Sequence, residues 1–272
     1  MYKIVACDLD ETLLSTDRTI SAGNKKAIAE AAKLGVKFVP ASGRNYVSID
    51  AQLKELGTFD AENEYVISFN GGAITENKNH RLLHFDGISF ELAEEFWRRG
   101  QNYDVCIHVY TLDAVYAYNL FHGEKDYLAG RMEVQEVFDK TLDFIRGQEI
   151  VKCLYTNTDR AYLQKIAEDL KDITGDVDVS YSSNRYLEFN KLGVNKGAGL
   201  QRLAEILGVD MKDTIAIGDN FNDLAMIKAA GLGVGVANVV KDMRADCDYI
   251  CERDCNHDAI AEVLEKFILS KV

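Results

Sequence analysis

Asp8 and Asp10 stand two residues apart in Asp8-Leu9-Asp10-Glu11-Thr12, directly after the apolar run Ile4-Val5-Ala6-Cys7. Side chains alternate along a strand, so carboxylates at this spacing face one way if extended geometry persists to Asp10. Such a pair can divide the work of displacement at phosphorus. One carboxylate stays ionised as nucleophile and metal ligand, while the other, held protonated by its charged neighbour, serves as a general acid. Alone, Asp-x-Asp also fits a strand ending in a solvated acidic turn, so the chemistry depends on what else the chain brings to the same place.

Sites in open parallel sheets lie beyond the carboxyl ends of the strands, so the residues after the other apolar runs matter next. After residues 36–39 comes Ala41-Ser42-Gly43-Arg44, where a hydroxyl, a glycine amide and a helix start can cradle an anion. After residues 214–217 comes Gly218-Asp219-Asn220-Phe221-Asn222-Asp223. Ordinary capping explains one of these Asp/Asn oxygens, and a hard dication such as Mg²⁺ would use the others. The fourth piece is Lys196 in Gly193-Val194-Asn195-Lys196-Gly197, at a helix start where a cation is disfavoured. A lysine there is either idle at the surface or held to neutralise an anion.

These pieces need a scaffold, and the hydrophobic pattern supplies one. Strands over 2–7, 36–39 and 65–69 alternate with helices over 21–34 and 45–56. Ser21 reads as an N-cap, and Gly35 and Gly57 close the two helices. The same grammar returns late, with helix 196–207, strand 214–217, a helix after Phe221, strand 232–236 and a last helix to about 269. Short apolar runs separated by amphipathic helices predict a doubly wound α/β fold on a parallel sheet. Between the blocks, 82–190 is richer in Tyr, Phe and His. It carries strand-like runs over 105–110 and 114–118 and helices over 89–99 and 160–173, which predicts an inserted α+β domain. The predicted organisation is a core of 1–81 and 191–272 around an insert of 82–190.

Composition narrows the classes. Apolar residues at 47% and charged residues at 28% suit a globular chain, and a net charge of −13 disfavours nucleic-acid or anionic-membrane partners. No apolar run reaches the ~18 residues of a membrane span, and no export signal is visible at the N-terminus, so a cytoplasmic location is expected. The six cysteines are then expected as thiols. Cys247, Cys251, Cys255 and His257 have zinc-ligand character, but a strand over 248–250 would hold Cys247 and Cys251 about 13 Å apart, too far to share an ion.

Together the four loops resemble the haloacid dehalogenase-like superfamily. Asp8-x-Asp10-x-Thr12 matches its first motif, Ser42 the second, Lys196 the third, and Gly218-Asp219 with Asn222-Asp223 the fourth. Phe69-Asn70-Gly71-Gly72-Ala73, Ser42-Gly43-Arg44 and the insert between the second and third motifs are similar to the Cof-type sugar phosphatases. One departure is Asn256-His257-Asp258-Ala259, where that family often carries an Asp-Gly pair.

The resemblance implies a Mg²⁺-dependent phosphatase acting through an aspartyl-phosphate. In that scheme Asp8 is the nucleophile and Asp10 the acid/base. The metal ligands are Asp8, the Asp10 carbonyl and Asp219, with Thr12 and Asp223 behind them. Leu9, Ser42, Gly43, Arg44, Lys196 and Asn222 hold the phosphate. It implies a small phosphorylated metabolite, such as a sugar phosphate, flavin mononucleotide or pyridoxal phosphate, as substrate, and a monomer or small homo-oligomer. The insert would act as a cap that recognises the leaving group, with Tyr110, Tyr116, Tyr118, His108 and His122 as candidates. A phosphomutase, or a non-catalytic phosphorylation-sensing module, is the alternative.

Overall fold

The computed structural model describes residues 2–130 and 132–271. In chain order the strands are β1 (Ile4–Cys7), β2 (Lys37–Pro40), β3 (Tyr65–Ser68), β4 (Ala73–Glu76), β5 (Arg81–Phe85), β6 (Cys106–Thr111), β7 (Val115–Tyr118), β8 (Gln135–Glu136), β9 (Ile150–Thr156), β10 (Val177–Ser182), β11 (Tyr186–Lys191), β12 (Thr214–Gly218), β13 (Leu232–Gly235) and β14 (Tyr249–Ile250). The helices are α1 (Ala22–Lys33), α2 (Asp50–Leu56), α3 (Phe90–Gly100), α4 (His122–Leu128), α5 (Arg160–Asp169), α6 (Lys196–Leu207), α7 (Leu224–Ala229) and α8 (Ala259–Phe267). No helix among the described residues is long and apolar enough to cross a membrane.

The chain divides into two compact units, one running to Phe85 and resuming at Asn195, the other spanning Asp86–Val194. The sequence-read boundaries, after 81 and after 190, fall inside β5 and β11. β5 stays with the first unit because Phe85 pairs with Ala73, and β11 with the second because Lys191 pairs with Val177.

In the first unit a parallel sheet has the order β14-β13-β12-β1-β2. Ile4 faces Lys37 on one side and Thr214 on the other. All four residues of β1 are buried, as a central strand covered on both faces requires. Ile4 and Ala6 join Leu200 and Leu203 of α6 and Met226 of α7 in one cluster. Val5 and Cys7 point to the other face. In this unit α1 packs on α8, and Asn24 Oδ1 accepts the Ala261 N–H at 2.9 Å. Ser21 caps α1 by accepting from the Asn24 N–H at 3.2 Å, and Gly35 follows its end at a φ of 83°.

Two elements differ from the sequence reading. The third strand does not continue the parallel ladder: a single parallel bridge, Ala41 to Ile67, links β3 to the chain after β2. Instead β3, β4 and β5 form an antiparallel sheet of their own. β4 hides from pattern reading because Thr75 and Glu76 are buried although polar. Glu76 is satisfied by the Asn63 N–H at 2.8 Å and by Arg81 Nε at 2.9 Å. The helix expected over 45–56 also starts late. Asn45 Oδ1 accepts from the Ser48 N–H at 3.0 Å, so a 3-10 turn (Val47–Ile49) precedes α2.

The second unit is a sheet of order β10-β11-β9-β6-β7-β8, antiparallel except for β7 with β8. Phe96 and Trp97 of α3 and Leu163 and Ile166 of α5 cover one face, against Ile107, Val109, Cys153, Tyr155, Leu187 and Phe189. Tyr116 and Tyr118 pack against this cluster, while Tyr110 is only partly exposed. His122 is exposed on α4, and His108 is fully buried 3.6 Å from Glu124.

Candidate active site

β1 carries Asp8 to the carboxyl edge of the parallel sheet, where its N–H donates to the Ile217 carbonyl at 2.9 Å. Extended geometry does not persist to Asp10. The chain turns at once: the Thr12 and Leu14 N–H groups donate to the Leu9 carbonyl at 3.4 and 2.8 Å, and the Leu13 N–H to the Asp8 carbonyl at 3.2 Å. A tight turn, with Leu9 buried as its anchor, therefore replaces the shared strand face expected from alternation, and both carboxylates still line one cavity.

That open cavity, of about 370 Å³, is walled by three of the expected loops. Asp8, Asp10 and Glu11 come from the first, Ser42, Gly43 and Arg44 from the second, and Asp219, Asn220 and Asn222 from the last, while Asn70 enters from the end of β3. Ser42 Oγ accepts the Arg44 N–H at 3.1 Å. The Arg44 guanidinium clasps Asp10, Nε donating to Oδ2 at 3.0 Å and Nη2 to Oδ1. Asp10 was expected to meet acidic charge; it meets a cation, with 53% of its side chain exposed.

Beneath the cavity lie Lys196, Asp223 and Thr12, each fully buried. Lys196 is the first residue of α6, whose N-cap Asn195 accepts the Ala198 N–H at 3.0 Å. Its ammonium donates to Asp223 Oδ1 at 2.6 Å and to Asp8 Oδ1. The other oxygen of Asp223 accepts the Asp219 and Asn220 N–H groups at 3.0 and 3.1 Å. Gly218 makes this wrap possible, since a Cβ there would fall 2.4 Å from Asp223 Cβ. Thr12 Oγ1 reaches Asp219 Oδ1 at 2.8 Å.

Carboxylate oxygens of Asp8, Asp219 and Asp223 lie within 4.8 Å of one another, a grouping able to hold a metal ion. Burial pushes Asp8 up to about 7, beyond what Lys196 offsets, with Asp223 adding to the rise. Asp219 is pushed up to about 6, again by burial first, against the Thr12 hydrogen bond and with help from Asp223 and Glu11. For Lys196 burial pulls downward, yet the two carboxylates it touches hold it above its ordinary value. Three carboxylates share one ammonium, which leaves a local deficit of positive charge.

The sequence reading quoted Glu11, Asn70 and Asn220 within their loops and assigned none of them a role in the site. Each had a positional signal: Glu11 and Asn220 adjoin residues that were chosen, and Asn70 follows a strand end.

A family model described as haloacid dehalogenase-like hydrolase matches residues 5–264. The chain is 29% identical to the 5-amino-6-(5-phospho-D-ribitylamino)uracil phosphatase YcsE of Bacillus subtilis over 98% of this chain and 96% of that one. It is 25% identical to the phosphatase YwpJ of the same organism, covering 94% and 96%. Among solved structures it is similar to a haloacid dehalogenase-like hydrolase from Bacteroides thetaiotaomicron, with a TM-score of 0.86 at 27% identity over 98% and 100% of the two chains. The match to TM0651 from Thermotoga maritima has a TM-score of 0.85 at 25% identity, covering 98% of each chain. Its motif loops and doubly wound core agree with this match over nearly the whole length: the chain belongs to the haloacid dehalogenase-like hydrolases.

Proposed function

We propose that the protein is a Mg²⁺-dependent phosphatase that hydrolyses small phosphate monoesters through an aspartyl-phosphate on Asp8. The observation that carries this reading is the buried Asp8 carboxylate, held at the cavity floor by Lys196 beside two further acids. YcsE and YwpJ are both named phosphatases, and the named substrate of YcsE carries its phosphate on a ribityl chain. The donor set suits a hard dication, because every ligand is oxygen and the buried acids lack a full complement of positive charge. Asp8, Asp219 and the Asp10 carbonyl would hold the ion; Asp223 is less available, with both oxygens engaged by Lys196 and two N–H groups. When bound, Mg²⁺ supplies charge neutralisation at the phosphoryl oxygens.

In this reading Asp8 attacks phosphorus, the ester P–O bond breaks, and the proton of Asp10 passes to the leaving alkoxide. Water then attacks the phosphorus of the aspartyl-phosphate, its proton goes to Asp10, and the Asp8 carboxylate is regenerated. Ser42, the amides of Leu9 and Gly43, Asn222 and Lys196 surround the phosphoryl group with donors and positive charge. Asp223 orients Lys196. A phosphate dianion in the cavity competes with Asp10 for the Arg44 guanidinium, which frees Asp10 for proton transfer.

The test is release of inorganic phosphate by purified protein from sugar phosphates, flavin mononucleotide and pyridoxal phosphate, with and without Mg²⁺. Magnesium-dependent release from at least one class is expected. Conversion of a sugar phosphate to its isomer without phosphate release would indicate a mutase, and labelling of Asp8 without turnover would indicate a sensing module.

A further inference from the structure

Two cavity-lining groups have no task in the reading above. Glu11 has a φ of 57°, in the left-handed region that residues with a Cβ occupy only at a cost. Its backbone is pinned there, the Asn238 amide donating to the Glu11 carbonyl at 2.8 Å. The other carboxylates on the wall are partnered: Asp8 by Lys196, Asp10 by Arg44 and Asp219 by Thr12. Among the described residues no donor or cation reaches the Glu11 carboxylate. Nor does Glu11 belong to the metal-holding grouping of Asp8, Asp219 and Asp223. The second group is Asn70, also left-handed at a φ of 54°, whose Oδ1 is buried without a hydrogen-bond partner. It lies against Gly43, where a Cβ would come within 3.2 Å of its amide atoms.

A buried acceptor without a donor, such as Asn70 Oδ1, is costly unless a ligand supplies one, while Glu11 is exposed and brings a carboxylate without a cationic partner to the cavity wall. Both of these acceptors line the cavity that holds Asp8. We propose that Glu11 and Asn70 read the alcohol half of the substrate. They accept hydrogen bonds from hydroxyl or ammonium groups near the ester oxygen, and the Glu11 charge turns away esters with a second anionic group there. This rests on the phosphatase reading and narrows it: the preferred substrates are monoesters of polyhydroxy or amino-bearing alcohols that carry no negative charge beside the ester. Discrimination of this kind comes from a repulsive element as much as from an attractive one.

The experiment compares kcat/KM at saturating Mg²⁺ for two matched pairs: glycerol 2-phosphate against 2-phosphoglycerate, and phosphoethanolamine against ethyl phosphate. The wild-type protein is expected to favour glycerol 2-phosphate over 2-phosphoglycerate by about tenfold or more, and phosphoethanolamine is expected to do at least as well as ethyl phosphate. Glu11→Gln should shrink the first ratio several-fold, because the anionic ester gains. Glu11→Asp, which keeps the charge and tolerates positive φ, should preserve the ratio. Asn70→Gly, which suits the backbone, should weaken glycerol 2-phosphate more than p-nitrophenyl phosphate, whose leaving group has no hydroxyl. An unchanged ratio in Glu11→Gln overturns the inference and leaves the phosphatase reading standing. So does an equal loss on all four esters with a shifted Mg²⁺ half-saturation, which would assign Glu11 to the metal. A wild-type protein that releases phosphate from none of these esters overturns the inference, and one that also leaves sugar phosphates, flavin mononucleotide and pyridoxal phosphate intact overturns both.

Discussion

Thr12 Oγ1 donates to Asp219 Oδ1 at 2.8 Å, joining the turn after β1 to the turn after β12. Both residues are buried, so the bond fixes which Asp219 oxygen remains open to the cavity. Thr12→Val keeps the shape and removes the donor. The expected result is a loss of about 1 kcal/mol in stability and a Mg²⁺ half-saturation raised about tenfold or more, since groups behind a ligand tune affinity on that scale. Denaturant melts and a metal titration of activity check this, and an unchanged titration would separate Thr12 from the metal site.

Asp8→Asn should abolish turnover, because an amide neither attacks phosphorus nor binds a cation as a carboxylate does. A homogeneous preparation retaining more than about a hundredth of the wild-type rate would falsify the nucleophile assignment, since a lost covalent step should cost more than the ~2.7 kcal/mol that factor represents. Beryllium fluoride should occupy the site of the wild-type protein and not that of the variant.

The acid cluster predicts how metal and protons exchange. Asp8 titrates at about 7 in the folded chain against an ordinary value of 3.8, and Asp219 at about 6. A carboxyl raised by folding binds more protons in the native than in the unfolded state between those values. The stability it contributes is therefore present below about 4 and is lost as pH rises through about 7. Metal-free protein should melt at progressively lower temperature across that window, and Mg²⁺ should flatten the decline. Calorimetry in buffers of differing ionisation enthalpy should show proton release on Mg²⁺ binding near pH 6.5 and little at pH 8.5. Equal proton counts at both values would contradict the assignment.

Asp10→Asn separates proton transfer from binding. Turnover of alkyl phosphates should fall by ~10² or more, while metal binding through the Asp10 carbonyl is retained. With p-nitrophenyl phosphate, whose leaving group needs no proton, the first step should survive and hydrolysis of the aspartyl-phosphate should be slow, giving a burst followed by a slow steady state. A first step slowed equally for good and poor leaving groups would remove Asp10 from acid/base work.

Much of this architecture was legible because chemistry-bearing residues follow short apolar runs. Ile4–Cys7 and Thr214–Gly218 read as strands because they are buried on both faces, and Asp8 and Asp219 follow as strand-end residues. What escaped the sequence depends on tertiary satisfaction. β4 carries a buried Glu76 that makes sense only once Asn63 and Arg81 are seen beside it. The pairing of Asp10 with Arg44 joins loops after different strands, and no local spacing announces it. The left-handed backbone at Glu11 and Asn70 is set by their turns, not by residue types that demand it. Tyr116 and Tyr118 show why aromatic residues are ambiguous in a sequence: both are partly buried and pack against the core of their own unit.

The central strand of the parallel sheet has a consequence for biosynthesis. β1 emerges from the ribosome before the other strands and finds one neighbour soon, when Ile4 can pair with Lys37. Its other edge stays bare until Thr214 is made, after the whole of Asp86–Val194 has been translated. At ~5–20 residues per second this interval lasts on the order of ten seconds or more, during which an apolar strand edge is open to wrong partners. The intervening unit has contiguous sequence and can complete its own sheet first. Nascent chains stalled before β12 should therefore lack the acid cluster and depend most on chaperones, and these loops become a late checkpoint of synthesis that only a chain extended past Asp223 passes.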